Sequence, residues 1–132
     1  MSKAISNKNV ADAKFAPAPF DGPFKAALGR PELKGSWLIF GKSGSGKTTF
    51  ALQLAKYLTR FVDKVAFDSL EQGLSLSMQK AWKRVDMAAA GSKVIFLDKE
   101  SLPELRDRLS KRKSPNVIII DSVICLVGMR LA

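Results

Sequence analysis

The chain has 132 residues, 46% of them hydrophobic, which is enough for the core of one domain and too short for two of ordinary size. It carries 22 Lys+Arg against 12 Asp+Glu, a formal net charge of +10, and such a balance favours polyanions: nucleotide, nucleic acid or an acidic surface. Histidine is absent, which excludes Ser-His-Asp and Cys-His catalysis and most zinc sites, and no apolar run is long enough to span a membrane.

Residues 1–35 hold Pro17, Pro19, Pro23 and Pro31, and the stretch Phe15 to Pro23 (FAPAPFDGP) cannot sustain a helix or a central strand. It is expected to be an arm lying against a core through Phe15, Phe20 and Phe24, or else partly disordered. Polar residues follow Lys3 and Lys8, so the N-terminus does not read as a secretory signal. The single cysteine, Cys125, lies between Ile124 and Leu126 and reads as a core residue. One cysteine allows no internal disulfide, which fits a cytoplasmic location.

Residues 36–132 form the expected nucleotide-binding domain, and in them strands and helices alternate. Trp37 to Phe40 reads as a short strand. Lys47 to Arg60 reads as a helix, with Phe50, Leu54, Tyr57, Leu58 and Phe61 on one side. Lys64 to Leu70 is a second strand, and Leu74 to Val85 a helix with Leu74, Met78, Ala81, Trp82 and Val85 inward. Lys93 to Asp98 is a third strand. Ser101-Leu102-Pro103-Glu104 has the form of a capping box and opens a helix whose Leu102, Leu105 and Leu109 are expected to face inward. Val117 to Asp121 (VIIID) is a fourth strand, apolar on successive residues. Such runs, with helices between them, predict an α/β fold whose parallel sheet is covered on both faces.

Between the first strand and the first helix of this domain stands GKSGSGKT, residues 41–48. A phosphate-binding P-loop needs this pattern in this setting. Gly41, Gly44 and Gly46 let the backbone close around phosphate oxygens, while the following helix turns its positive end toward them. Lys47 can reach the β- and γ-phosphates, and the Thr48 hydroxyl can ligate Mg²⁺. Lys42, Ser43, Ser45 and Thr49 are candidates through their backbone amides. By composition alone a chain of this length would match by accident roughly once in a few hundred.

Asp121, ending the fourth strand, sits at the sheet edge where ligands bind in open α/β folds and could hold Mg²⁺ through water. A base for water activation would be a carboxylate near the γ-phosphate. Asp68 and Glu71, in VAFDSLEQG, both compete for that role, and spacing does not choose between them.

Together GKSGSGKT, the strand leading into SLEQG, and VIIIDS resemble the RecA-like P-loop ATPases, which include recombinases and replicative helicases. More narrowly, LGRPELKGSWLIFGKSGSGKTTFALQLAKYL is similar to small ATP-binding proteins of the AAA type encoded by phages and mobile elements. The resemblance covers roughly residues 28–123. It implies a three-layer P-loop NTPase with a mainly parallel RecA-like sheet, ATP and Mg²⁺ as ligands, and hydrolysis in a DNA transaction such as recombination or replication. It also implies Glu71 as the general base over Asp68, and possible rings or filaments of identical subunits. In that family a further strand, carrying a polar sensor of the γ-phosphate, inserts between the P-loop and Walker-B strands. Eleven residues follow Asp121, too few for another strand–helix unit, so a sheet short of strands at its C-terminus is expected.

Two other functions compete. One is a nucleotide-binding module without turnover, and the other a P-loop kinase of small molecules, for which no arginine-bearing lid is evident. A basic face for DNA is available in Lys80, Lys83 and Arg84, with Arg106, Arg108, Lys111, Arg112 and Lys113 on the next helix.

Overall fold

A computed structural model describes residues 4–39, 46–121 and 124–127. The chain divides into two compact units, Met1–Leu33 and Lys34–Ala132.

The first unit holds two short helices, α1 (Asn7–Asp12) and α2 (Gly22–Leu28), the latter with Pro23 in its first turn. Proline is tolerated there because the first helical N–H groups have no intrahelical partner. The Ala18 N–H donates to the Pro31 carbonyl at 2.8 Å, and Pro17 bridges Glu32. Phe20 is buried, whereas Phe15 is exposed.

The second unit is built on five strands: β1 (Gly35–Leu38), β2 (Val65–Ser69), β3 (Val94–Asp98), β4 (Val117–Asp121) and β5 (Ile124–Val127), in the order β1-β5-β4-β2-β3. β2 pairs in parallel with β3 and with β4, whereas β5 is antiparallel to both β4 and β1. β1 and β4 consequently point the same way, and four of the five strands share one direction. Three helices complete the unit: α3 (Lys47–Leu58), α4 (Leu76–Arg84) and α5 (Leu102–Leu109).

All five residues of β2 are buried, as a central strand covered on both faces requires. On one face Ala66, Leu97, Ile118 and Ile120 pack with Leu105 and Leu109 of α5. On the other, Trp82 of α4 stands edge-on to Phe67 at 6.2 Å and to Phe96 at 5.5 Å, an arrangement aromatic rings favour. α3 lies on this same side, packed against β2 and β4 through an apolar stripe that includes Leu54 and Leu58. The result is the expected three-layer α/β architecture.

Several expectations are corrected. Leu102 is exposed at the first helical position of α5 and only Leu105 and Leu109 are buried, although the capping box between Ser101 and Glu104 forms in full. Leu74 is 71% exposed because α4 begins at Leu76, two residues beyond it, so it lies outside the helical stripe of Met78 and Ala81. A 3-10 segment over Met87–Lys93, to which the sequence reading assigns no element, buries Met87. The residues after Asp121 do supply a strand, since an antiparallel return needs no crossover helix. β5 fills the position between β1 and β4. The side chain of Cys125, within β5, lies outside the described residues.

Candidate nucleotide site

Alternation along the paired strands decides which side chains meet. Ala66 and Asp68 point to the α5 face, so Phe67 and Ser69 point to the face of α3 and α4. In β4 the same logic sends Ile118 and Ile120 toward α5 and Asp121 toward α3. Ser69 is the register partner of both Asp121 and Asp98, which places Asp121, Ser69 and Asp98 in one row across the C-terminal sheet edge.

α3 delivers the next group. It starts at Gly46, whose φ of 86° is a left-handed conformation that favours glycine, and no side chain caps it. Among the described residues no side chain caps the first-turn amides of α3, at the end of the helix where anions are favoured. Thr48 Oγ1 donates to Asp121 Oδ2 at 3.0 Å. Burial pushes the Asp121 carboxyl above its ordinary value, opposed by the Thr48 hydrogen bond; the nearby Glu71 carboxylate raises it further and the Lys47 ammonium lowers it. Thr48 and Asp121 are thus in contact beside Lys47, the residue before Thr48, and the Glu71 main chain is bonded to Asp121. Gly41, Lys42, Ser43, Gly44 and Ser45 lie outside the described residues.

Glu71 reaches this cluster because its loop is tied to β4. The Leu70 and Glu71 N–H groups both donate to the Asp121 carbonyl, at 2.8 and 3.3 Å. The far end of the loop is fixed to β3, where Leu74 N–H donates to Asp98 Oδ1 at 2.9 Å. Lys99 N–H and Gly73 N–H share the Ser69 carbonyl at 3.2 and 3.0 Å.

Asp68 is on the other side of the sheet. It is fully buried, and its Oδ1 accepts the Glu100 N–H at 2.9 Å. Glu100 in turn takes two hydrogen bonds from Arg108, at 2.9 and 2.8 Å. Asp68 Oδ2 has no partner among the described residues, and burial raises its pKa, against the Glu100 hydrogen bond. The geometry removes Asp68 from the competition for the base. A carboxyl with a raised folded pKa contributes stability that is full below the ordinary carboxylate range, about pH 4, and lost as pH rises through the folded value. Asp68→Asn keeps the acceptor for Glu100 and carries no ionisation penalty. Its melting temperature should gain on the parent's as pH rises from 4 to 8, a trend that thermal scans across this range would check.

Oxygen donors suited to Mg²⁺ are present in Thr48 Oγ1 and Asp121 Oδ2. Among the described residues, no cluster of three or more Cys, Asp or Glu side chains gathers to cage an ion. That composition fits Mg²⁺, which keeps several waters and takes substrate phosphate oxygens to complete its shell.

Sequence reasoning missed three contributors. Ser69 and Asp98 enter only through strand register, and Arg84 on α4 donates to Thr49 Oγ1 at 3.0 Å. The basic face proposed on the third helix is partly consumed: Arg108 is bound to Glu100 and Lys111 pairs with Asp107. Lys111, Arg112 and Lys113 also follow α5, which ends at Leu109.

A model of the ATPase family associated with various cellular activities (AAA) matches residues 37–130. The DNA repair and recombination protein RadB of Methanosphaera stadtmanae is 31% identical over 95 residues, a match covering 67% of this chain and 41% of RadB. The chain thus spans less than half the length of that relative. No solved structure matches the chain.

Proposed function

The chain belongs to the ATPase family associated with various cellular activities, and we propose that it binds ATP with Mg²⁺ and hydrolyses it in a DNA transaction such as recombination or replication. The Thr48–Asp121 hydrogen bond at the start of α3, with Lys47 beside Thr48 and the Glu71 N–H bonded to the Asp121 carbonyl, carries this reading.

In it, Lys47 and the first amides of α3 hold the β- and γ-phosphates. Thr48 and Asp121 hold Mg²⁺, which when bound neutralises charge developing on the phosphate oxygens. Glu71 orients a water and takes one of its protons as the water oxygen bonds to the γ-phosphorus. The bond from that phosphorus to the β–γ bridging oxygen breaks, giving ADP and inorganic phosphate.

The DNA part rests on the net charge of +10, on exposed Lys80 and Lys83 of α4, and on the RadB match. Arg84 links that basic helix to Thr49, one residue beyond the candidate metal ligand Thr48, so nucleotide state and DNA contact have a short path between them.

The test is MgATP binding and phosphate release, with and without single-stranded DNA, beside Lys47→Ala. The variant should bind MgATP about 10- to 100-fold more weakly, as expected for loss of a charged hydrogen-bond donor to phosphate, roughly 1.5–3 kcal/mol. Release should be stimulated by DNA at low salt and the stimulation should fade as salt rises. Equal binding by both proteins would refute the site.

A second reading, nucleotide binding without turnover, is favoured by one observation. The strand between β1 and β4 has the sequence Ile-Cys-Leu-Val, with no polar side chain to sense a γ-phosphate. Binding that Lys47→Ala abolishes, with no phosphate release by the parent, would select it.

A further inference from the structure

We propose that the Ser69 hydroxyl is a further ligand-binding group of this site, holding a water of the Mg²⁺ shell beside Asp121; the inference rests on the MgATP reading above. Ser69 is fully buried, and its Oγ has no hydrogen-bond partner among the described residues. Buried hydroxyls in folded proteins are nearly always satisfied, so an unsatisfied one calls for a missing partner.

Its position says what kind of partner. Ser69 is the last residue of β2, at the C-terminal sheet edge where ligands bind in open α/β folds. It shares a face with Asp121, its register partner in β4, on the side covered by α3. Neighbouring strands lie ~4.8 Å apart. Ser69 Oγ makes no direct hydrogen bond to Asp121, and the two neighbours are close enough to share one bridging water, which needs two or more polar partners to be held. Asp98, the neighbour on the other side, is already engaged by the Leu74 N–H, which leaves the Asp121 side as the direction with an oxygen that binds metal. Among the described residues the hydroxyl has no polar contact that alanine would lose.

Ser69→Ala separates this role from a structural one. At a fixed analogue concentration that is sub-saturating without metal, the Mg²⁺ concentration for half-maximal binding of a fluorescent ATP analogue should rise roughly tenfold, the size typical when an outer-shell partner of a metal site is lost. Binding of the same analogue in EDTA should be unchanged, and the melting temperature of the ligand-free variant should equal or exceed the parent's, since an unsatisfied hydroxyl has been removed. An unchanged Mg²⁺ requirement overturns the proposal, and so does a fall of several degrees in the ligand-free melting temperature, which would mean that Ser69 bonds within the protein. A parent that binds the analogue with no dependence on Mg²⁺ overturns the MgATP reading itself, and the role of Ser69 with it.

Discussion

Glu71→Gln is expected to lower MgATP hydrolysis by about 10²- to 10⁴-fold, the span typical of removing a general base, while leaving MgATP affinity within a few-fold of the parent. Glutamine preserves the length and hydrogen-bonding shape of the side chain but cannot accept the proton of the attacking water. The loop would keep its place, because its anchors are main-chain: the Leu70 and Glu71 N–H groups on the Asp121 carbonyl. Single-turnover phosphate release, with binding measured in parallel, checks both halves. Undiminished release would leave another group as the base, and Asp68 could not be that group from its buried place under α5. Weaker binding in step with slower release would instead make Glu71 a phosphate-site residue.

The parts of this fold that were legible in the sequence are those with local causes. Val117–Asp121 is a strand because five residues end a purely apolar run with a carboxylate, and Ser101 with Glu104 starts α5 by satisfying each other's backbone donors. The start of α3 at Lys47-Thr48 is legible for the same reason, since it follows from a local helical pattern. What was illegible depends on register. Asp68 and Ser69 are adjacent in sequence, yet the period of two sends one carboxyl toward α5 and one hydroxyl toward the nucleotide site. No composition or spacing could rank Asp68 below Glu71 without knowing which face α3 covers.

β5 was missed for a related reason. The expectation took account of a crossover unit, strand plus helix, whereas an antiparallel return requires only a tight turn. The two solutions differ in chemistry. The parallel strand of the resembled family brings a polar end toward the γ-phosphate, whereas β5 runs the other way, pairing Ile124 with Ile120 and Val127 with Val117.

Gly73→Ala should disturb stability and turnover together, and the cause is specific to one loop. Gly73 is buried with φ of 62°, where an L side chain costs on the order of 1–2 kcal/mol. A Cβ built there meets Asp98 Oδ1 at 2.5 Å and Lys99 Cε at 2.8 Å. The lysine tail can swing aside, but the short Asp98 side chain is the acceptor for Leu74 N–H at 2.9 Å. Moving it sacrifices a hydrogen bond to a charged acceptor, roughly 1.5–3 kcal/mol. Destabilisation of about 2.5–5 kcal/mol follows, measurable as a shift in the urea midpoint at constant m-value. Because Gly73 lies two residues from Glu71, phosphate release should fall further than the unfolded fraction explains, while MgATP affinity, set on α3, should hold. Asp98→Asn retains the acceptor and leaves glycine in place, so it should restore nothing and disturb little. If Gly73→Ala lost stability but kept full turnover per folded molecule, the loop would tolerate displacement and Glu71 would not depend on its anchorage to β3.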